Sequence, residues 1–368
     1  MLNRGIAFRL GLTVAILLLQ GCSTLAYYSQ SVSGHLQLMG QSRPIERLLQ
    51  DPATEPGLKQ RLRQVVAMRE FATRELALPE NGSYRSYAAL ERKAVVWSVV
   101  ATGTFSLQPR QWCYLFIGCA SYRGYFSRDR AQAYADQLRE AGLDVAVEAV
   151  PAYSTLGWFD DPLPSTVIEW PLPRIATLMF HELAHQQLYV KDDSAFNEAF
   201  ASLVAEVGTR SWLATRDPAA LPAWRRSLVR ERQFVALLLA FRERLSGLYR
   251  EPLPILEMAR RKALLFDLLR TRYRALKAEW GGYSGFDGWF DRPLNNAHLA
   301  SIATYESWVP AFRQLLEQSD NHLPSFYRAS EALGSLPPDV RTQRMQALRR
   351  LALAAAVPGL PAGSNVAQ

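Results

Sequence analysis

His181-Glu182-Leu183-Ala184-His185, followed by Asn197-Glu198-Ala199-Phe200-Ala201, is the stretch on which the reading of this chain turns. Residues four apart on a helix share a face, so the two imidazoles can reach one ion. Glu182, beside the first histidine, lies at the flank, where a carboxylate can hold and deprotonate a water. The preceding run Ile175-Ala176-Thr177-Leu178-Met179-Phe180 is apolar, and Leu183 and Ala184 can face a core. This is the half-buried helix that such a site needs. The chain has only five histidines, so a chance pair at this spacing is rare.

The third ligand follows from the turn. The first helix continues to about Tyr189, Lys191-Asp192-Asp193-Ser194 reverses the chain, and Asp193 or Ser194 caps a second helix. At ~1.5 Å rise per residue, His185 lies about 6 Å before the turn and Glu198 about 6 Å after it. In an antiparallel pair they stand level. Two histidines, one glutamate and a water form an open, catalytic zinc set. The expectation is one Zn2+ per chain held by His181, His185 and Glu198, with Glu182 as general base. Asp192 and Asp193 are the rivals for the third ligand. Glu206, two turns beyond Glu198, reads as a supporting or salt-bridging residue.

The motif pair resembles the gluzincin metallopeptidases. The longer strings 181–190 and 196–201, with Tyr153–Pro162 and Asn295–Tyr305, resemble a bacterial family of predicted aminopeptidase lipoproteins. The resemblance implies hydrolysis of peptide bonds on a zincin-like helical catalytic region. Two departures stand out. The gap between His185 and Glu198 is shorter than in thermolysin-like enzymes. Ser202 occupies the place, four residues after Glu198, where those enzymes carry a carboxylate that supports a zinc histidine.

The N-terminus reads as an export signal. Arg4 and Arg9 precede the apolar run Leu10–Leu19, about ten residues and too short for a permanent span. Leu19-Gln20-Gly21-Cys22 looks like a lipobox, so residues 1–21 are expected to be removed and Cys22 lipidated. Ser23, rather than aspartate, favours the periplasmic face of the outer membrane over the inner membrane. Residues 22–45 then form a tether. Loss of Arg4 and Arg9 takes the formal charge from +8 to +6. The remaining basic residues are scattered along helices such as 225–232 and 341–350, without an aromatic–basic platform for nucleic acid. Cys113 and Cys119 lie in one short loop; an oxidising compartment permits a disulfide, and two buried thiols are the alternative.

With 49% hydrophobic and 21% charged residues, the chain can build a real core. Helical spacing runs over 57–76 and 128–141, while 95–100, 112–117, 122–126 and 144–150 read as strands. Further helices are expected at 174–189, 194–212, 222–248, 254–279, 306–318 and 338–356, with a Gly-rich loop at 281–296. Strands before helices give an α+β fold: a small mixed sheet in an N-terminal subdomain (46–170), a helical catalytic region (171–358) and a disordered tail (359–368).

Weaker candidates complete the reading. Tyr305 or His298 would stabilise an oxyanion. By the zincin resemblance, residues Tyr153–Asp161 would form a substrate-side edge strand, with Gly157 allowing close approach and Trp158 flooring a subsite; a plain turn-rich connection to the helix is the alternative. His35 and His322 read as incidental. Three functions fit: a periplasmic zinc peptidase; a lipid-anchored, zinc-containing binding or assembly protein on a metallopeptidase fold; or a zinc hydrolase of another amide, such as a cell-wall crosslink. Glu182 favours catalysis, since a purely binding site has no use for that base. No acidic group that grips a free amine is identifiable.

Overall fold

The computed structural model describes residues 27–114, 118–152, 154–300, 302 and 308–355. Helix α1 (27–40) is followed by β1 (Ser42–Pro44), α2 (Ile45–Gln50) and α3 (Pro56–Arg74). Strands β2 (Ser86–Ala88), β3 (Val96–Gly103), β4 (Trp112–Tyr114), β5 (Gly118–Ala120) and β6 (Arg123–Tyr125) lead to α4 (Arg128–Glu140) and β7 (Leu143–Val150). After β8 (Leu163–Pro164) and α5 (Ser165–Ile168) comes the long pair α6 (Leu172–Gln187) and α7 (Ser194–Arg216). The rest is α8 (Leu221–Leu248), α9 (Ile255–Glu279), short α10 (Asp287–Phe290) and α11 (Asn296–Ala300), then α12 (Val309–Gln318), α13 (Leu323–Gly334) and α14 (Pro338–Ala355). Helix accounts for 63% and strand for 11%, which makes this a mainly helical α+β fold.

Local chemistry explains the boundaries. α3 starts with Pro56 at its first position, and its stripe Leu62, Val65, Met68, Phe71 and Ala72 is buried. Ser127 caps α4 by accepting from Arg130 N, and Gly142 ends it at φ +80°. The strands divide among three small sheets rather than one. Only β1-β2-β8 is mixed; β6-β3-β7 is antiparallel, with β3 and β7 paired from Val96↔Val150 to Gly103↔Leu143. The β4–β5 hairpin is closed by a Cys113–Cys119 disulfide.

Three expectations change. The segment taken as tether is helical from residue 27, with Leu38 and Ile45 buried. Residues 154–161 form a turn and not an edge strand: Leu156 and Gly157 take φ +55° and +85°, and the Asp161 carboxylate accepts from Thr155 N (2.8 Å) and Thr155 Oγ1 (2.9 Å). α13 occupies a stretch between the expected helices 306–318 and 338–356 where no element was expected; its Pro324 sits in the first turn, where the missing N–H costs nothing.

The main core crosses the expected boundary at residue 170. Leu62, Val65 and Met68 of α3 share it with Phe180 and Leu183 of α6, Phe196 and Phe200 of α7, and Phe312 and Phe326 of α12 and α13. Gly208 lets α7 approach closely; a Cβ there would lie 2.5 Å from Leu76 Cδ1 and 2.9 Å from Phe180 Cδ2. α6 and α7 are thus fixed on one face by α3 and on another by α12. A second core joins α8 and α9, and a third packs the β3 sheet on α4.

Candidate metal centre

α6 presents His181, Glu182 and His185; α7, returning antiparallel, presents Glu198. The turn between them is locked by the Asn197 amide, whose Oδ1 accepts from Val190 N and whose Nδ2 donates to Val190 O, both at 2.7 Å. Asp193 caps α7 by accepting from Phe196 N at 3.1 Å and is paired with Arg341 at 2.8 Å. It is therefore occupied as a structural residue. Asp192 stays in the turn at φ +62°. Glu206 binds Arg232 (2.6 Å) and Arg313 (2.9 Å), as a salt-bridging residue would.

His181 Nε2 lies 3.1 Å from His185 Nε2 and 3.2 Å from Glu198 Oε2, and His185 Nε2 lies 3.7 Å from Glu198 Oε1. Among the described residues this is the one cluster of three or more His, Cys, Asp or Glu groups whose donor atoms converge, all within 4.8 Å. The chemistry of the donor set suits a cation. Two ring nitrogens aimed at each other cannot both keep a proton there, whereas two lone pairs and a carboxylate can share one ion. His185 is almost fully buried, while His181 and Glu198 keep about a fifth of their side chains accessible (20% and 22%), leaving an approach from one side.

Each group feels its neighbours. Burial opposes charge on His181, but the Glu198 hydrogen bond and the charges of Glu182 and Glu198 outweigh it and raise its pKa. Burial, then the charge of His181, lowers His185 to about 4. In Glu198 the upward push of burial is overcome by the His181 hydrogen bond and the His185 charge, so its pKa falls. Glu182 is raised, chiefly by burial, with His181 opposing and Glu198 adding.

Several neighbours of Glu182 carry no sequence signal. The Ser154 hydroxyl donates to Asp161 Oδ2 at 3.4 Å and lowers the pKa of Glu182 against the push of burial. Asp161 is 1% exposed, and burial raises its pKa. Its peptide N–H donates to Ser83 Oγ, which also accepts from Gln186 Nε2, and Gln186 Oε1 accepts from Asn81 Nδ2. Arg69, buried beneath, donates to the carbonyls of Pro79, Asn81 and Ser83. Buried Tyr84, at φ +62°, has its pKa raised by burial first and then by Glu182 and Asp161. The pKa of Tyr122, a residue 53% exposed, is raised by burial and then by the charges of Tyr27, Glu198, Tyr189 and Glu182.

The remaining candidates lie elsewhere or outside the description. His298 accepts at Nδ1 from Asn295 N (3.1 Å) and stands 3.9 Å from Glu148, in contact with the β7 strand rather than with the histidine pair. Tyr305, Tyr153 and Cys22 lie outside the described residues. His322 is exposed and bonds Ser325. The ring of His35 packs on Phe159, with centroids 4.7 Å apart.

Fold and cluster together define an α+β protein with a metal-capable His–His–Glu constellation between two antiparallel helices. The chain belongs to the family whose model, described as "Putative aminopeptidase", matches residues 26–345. That membership points to a hydrolase of the peptidase kind. No curated protein and no solved structure matches the chain.

Proposed function

We propose that the protein is a zinc-dependent metallopeptidase, an aminopeptidase by family, that hydrolyses peptide bonds in the periplasm while anchored through Cys22 to the outer membrane. The observation that carries the zinc reading is the spacing of the donor atoms. A tetrahedral zinc ion with bonds of ~2.05 Å separates its ligand atoms by about 3.3 Å. The separations here are 3.1, 3.2 and 3.7 Å. His181, His185 and Glu198 would hold the ion, which supplies Lewis acidity toward the scissile carbonyl and the attacking water.

The chain's own residues do the rest. Glu182 takes the proton from the attacking water and passes it to the leaving amine. Its burial strengthens it as a base, because the charged form is disfavoured until a proton arrives. Ser154 steadies the ionised form of Glu182. The turn 154–161 lies against α6 at Gln186, where a Cβ on Gly157 would stand 3.4 Å from Gln186 Cγ.

The test is metal and activity on one preparation. Purified protein is expected to carry about one zinc per chain, and His185→Ala to lose it on dialysis against a mild chelator. The zinc-loaded protein is expected to cleave members of a peptide library, with the position of the cuts distinguishing exo- from endopeptidase action. Full zinc retention by His185→Ala would overturn the ligand set. A zinc-loaded protein that cleaves nothing in a broad library would transfer the reading to a lipid-anchored binding or assembly protein.

A further inference from the structure

We propose that one face of the molecule, formed by α1 and the tip of the 154–161 turn, docks on a lipid bilayer. A helix on a soluble surface normally turns charges to water. Residues 27–40 contain no Asp, Glu, Lys or Arg. The outer face of α1 is Ser29, Val32, Ser33, Leu36, Gln37 and Gly40, with Val32 59% and Leu36 63% exposed.

Beside it stand two aromatic residues held into solvent by a rigid frame. Trp158 is 85% exposed and Phe159 54%. Their turn is not slack. Trp158 N donates to Thr155 O (3.1 Å), Phe159 N donates to Thr155 Oγ1 (3.1 Å), and Thr155 is fastened to buried Asp161. The two patches meet where Phe159 packs on His35, a residue adjacent to Leu36 and three from Val32. An exposed aliphatic and aromatic patch of this kind, with Asp160 at its edge held by Gly82 N (3.0 Å), marks an interaction surface. Tryptophan and phenylalanine suit the headgroup boundary, where a large apolar ring gains cover.

The position of Cys22 identifies the occupant. It precedes Tyr27 by five residues, so at most about 18 Å of chain separates the predicted acylation point from the start of α1, whatever path that chain takes. A lipid at Cys22 therefore holds this face within reach of the headgroups. The contrast with α9 supports the choice. Ile255 and Leu256 are 74% and 85% exposed there, but Glu257, Arg260 and Arg261 surround them with charge. Docking also sets the site's place. A Cβ at Gly157 would lie 3.4 Å from Gln186 Cγ, one residue beyond His185, so the docked turn brings the metal centre close to the bilayer surface.

The experiment uses the chain from Ser23 onward, which keeps every described residue and carries no acyl group. It therefore fails or succeeds independently of lipidation and of peptidase activity. Flotation with phosphatidylethanolamine–phosphatidylglycerol vesicles is expected to recover the protein with the lipid. Binding is expected to persist in about 0.5 M salt, where surface charge is screened. The pairs Trp158→Ser with Phe159→Ser, and Val32→Asp with Leu36→Asp, are expected to lose about tenfold or more in partitioning at wild-type Tm. Ile255→Ser with Leu256→Ser is expected to bind as wild type. Wild-type protein left in the soluble fraction would overturn the proposal, as would α1 and turn variants that float as well as wild type. A wild-type dimer that these variants break, without vesicle binding, would reassign the face to a second copy and equally overturn it. Should the turn pair unfold, Trp158→Ser alone, at an 85% exposed position, decides the matter.

Discussion

Glu182 and His298 show how burial gives two titrating side chains different work. Glu182 sits beside a cation-ready pair and is pushed up by desolvation. Glu182→Gln keeps its size and hydrogen-bonding shape but cannot take a proton. General acid–base catalysis is worth about 10²–10⁴-fold, so kcat is expected to fall by that much. Zinc content and Tm, measured on the same sample, are expected to stay at wild-type values; undiminished cleavage would remove Glu182 from the mechanism. His298 is a stability residue. Burial, followed by the charge of Arg292, lowers it to about 4, and its Nδ1 must be unprotonated to accept from Asn295 N. Below pH ~6.5 the unfolded chain binds a proton that the folded chain refuses, so stability is lost as pH falls from about 6.5 to about 4. At 1.36 kcal/mol per unit the total is roughly 3 kcal/mol. Denaturant titrations across that range are expected to give a flatter pH slope for His298→Gln; an unchanged slope would assign the loss to other groups.

The element that decides the site is the α6–α7 hairpin. Glu198 is useful only if α7 starts at the right height, and the Asn197 clamp on both backbone groups of Val190 sets that height. Asn197→Ala removes two short bonds and leaves the half-buried Val190 N–H without its partner, while Val190 O keeps only the longer contact from Asp193 N (3.3 Å). A loss of about 1–3 kcal/mol in stability is expected. Because Glu198 is the next residue, zinc affinity is expected to drop as well, measured by competition with a chromophoric chelator. A variant with lowered Tm and unaltered zinc affinity would show that α7 keeps its register through Asp193, Arg341 and core packing alone.

At the scale of the whole molecule, one core ties α3 to the metal-bearing helices, while the N-terminal helix and the aromatic turn share a face. Anchoring belongs to this scale. Cys22→Ser is expected to abolish incorporation of lipid label and processing at that site, read by labelling and mass in membrane fractions. Normal processing and label in that variant would contradict the lipobox reading. Among the described residues no helix is long and apolar enough to cross a membrane.

Much of the site was legible in one dimension because its geometry is short-range. His181 and His185 share a face by helical pitch, and Glu198 returns to them by counting residues through a turn. The α+β class and most helices followed from local periods for the same reason. What lay beyond reach depends on pairs far apart in the chain. Ser83 meets Asp161 across 78 residues, and Asn81 meets Gln186 across 105. The stretch 154–161 is open in the sequence between an edge strand and a turn-rich connection, and the buried Asp161, satisfied by Thr155, folds it back as a turn. α1 reads as a tether because nothing local announces that Phe126 fills the gap at Gly34 or that Leu38 is buried. The sequence alone determined which atoms could bind a metal, since that follows from bonded geometry. Tertiary packing decided what surrounds Glu182 and which face is left uncharged and uncovered, because those depend on which distant surfaces exclude water together.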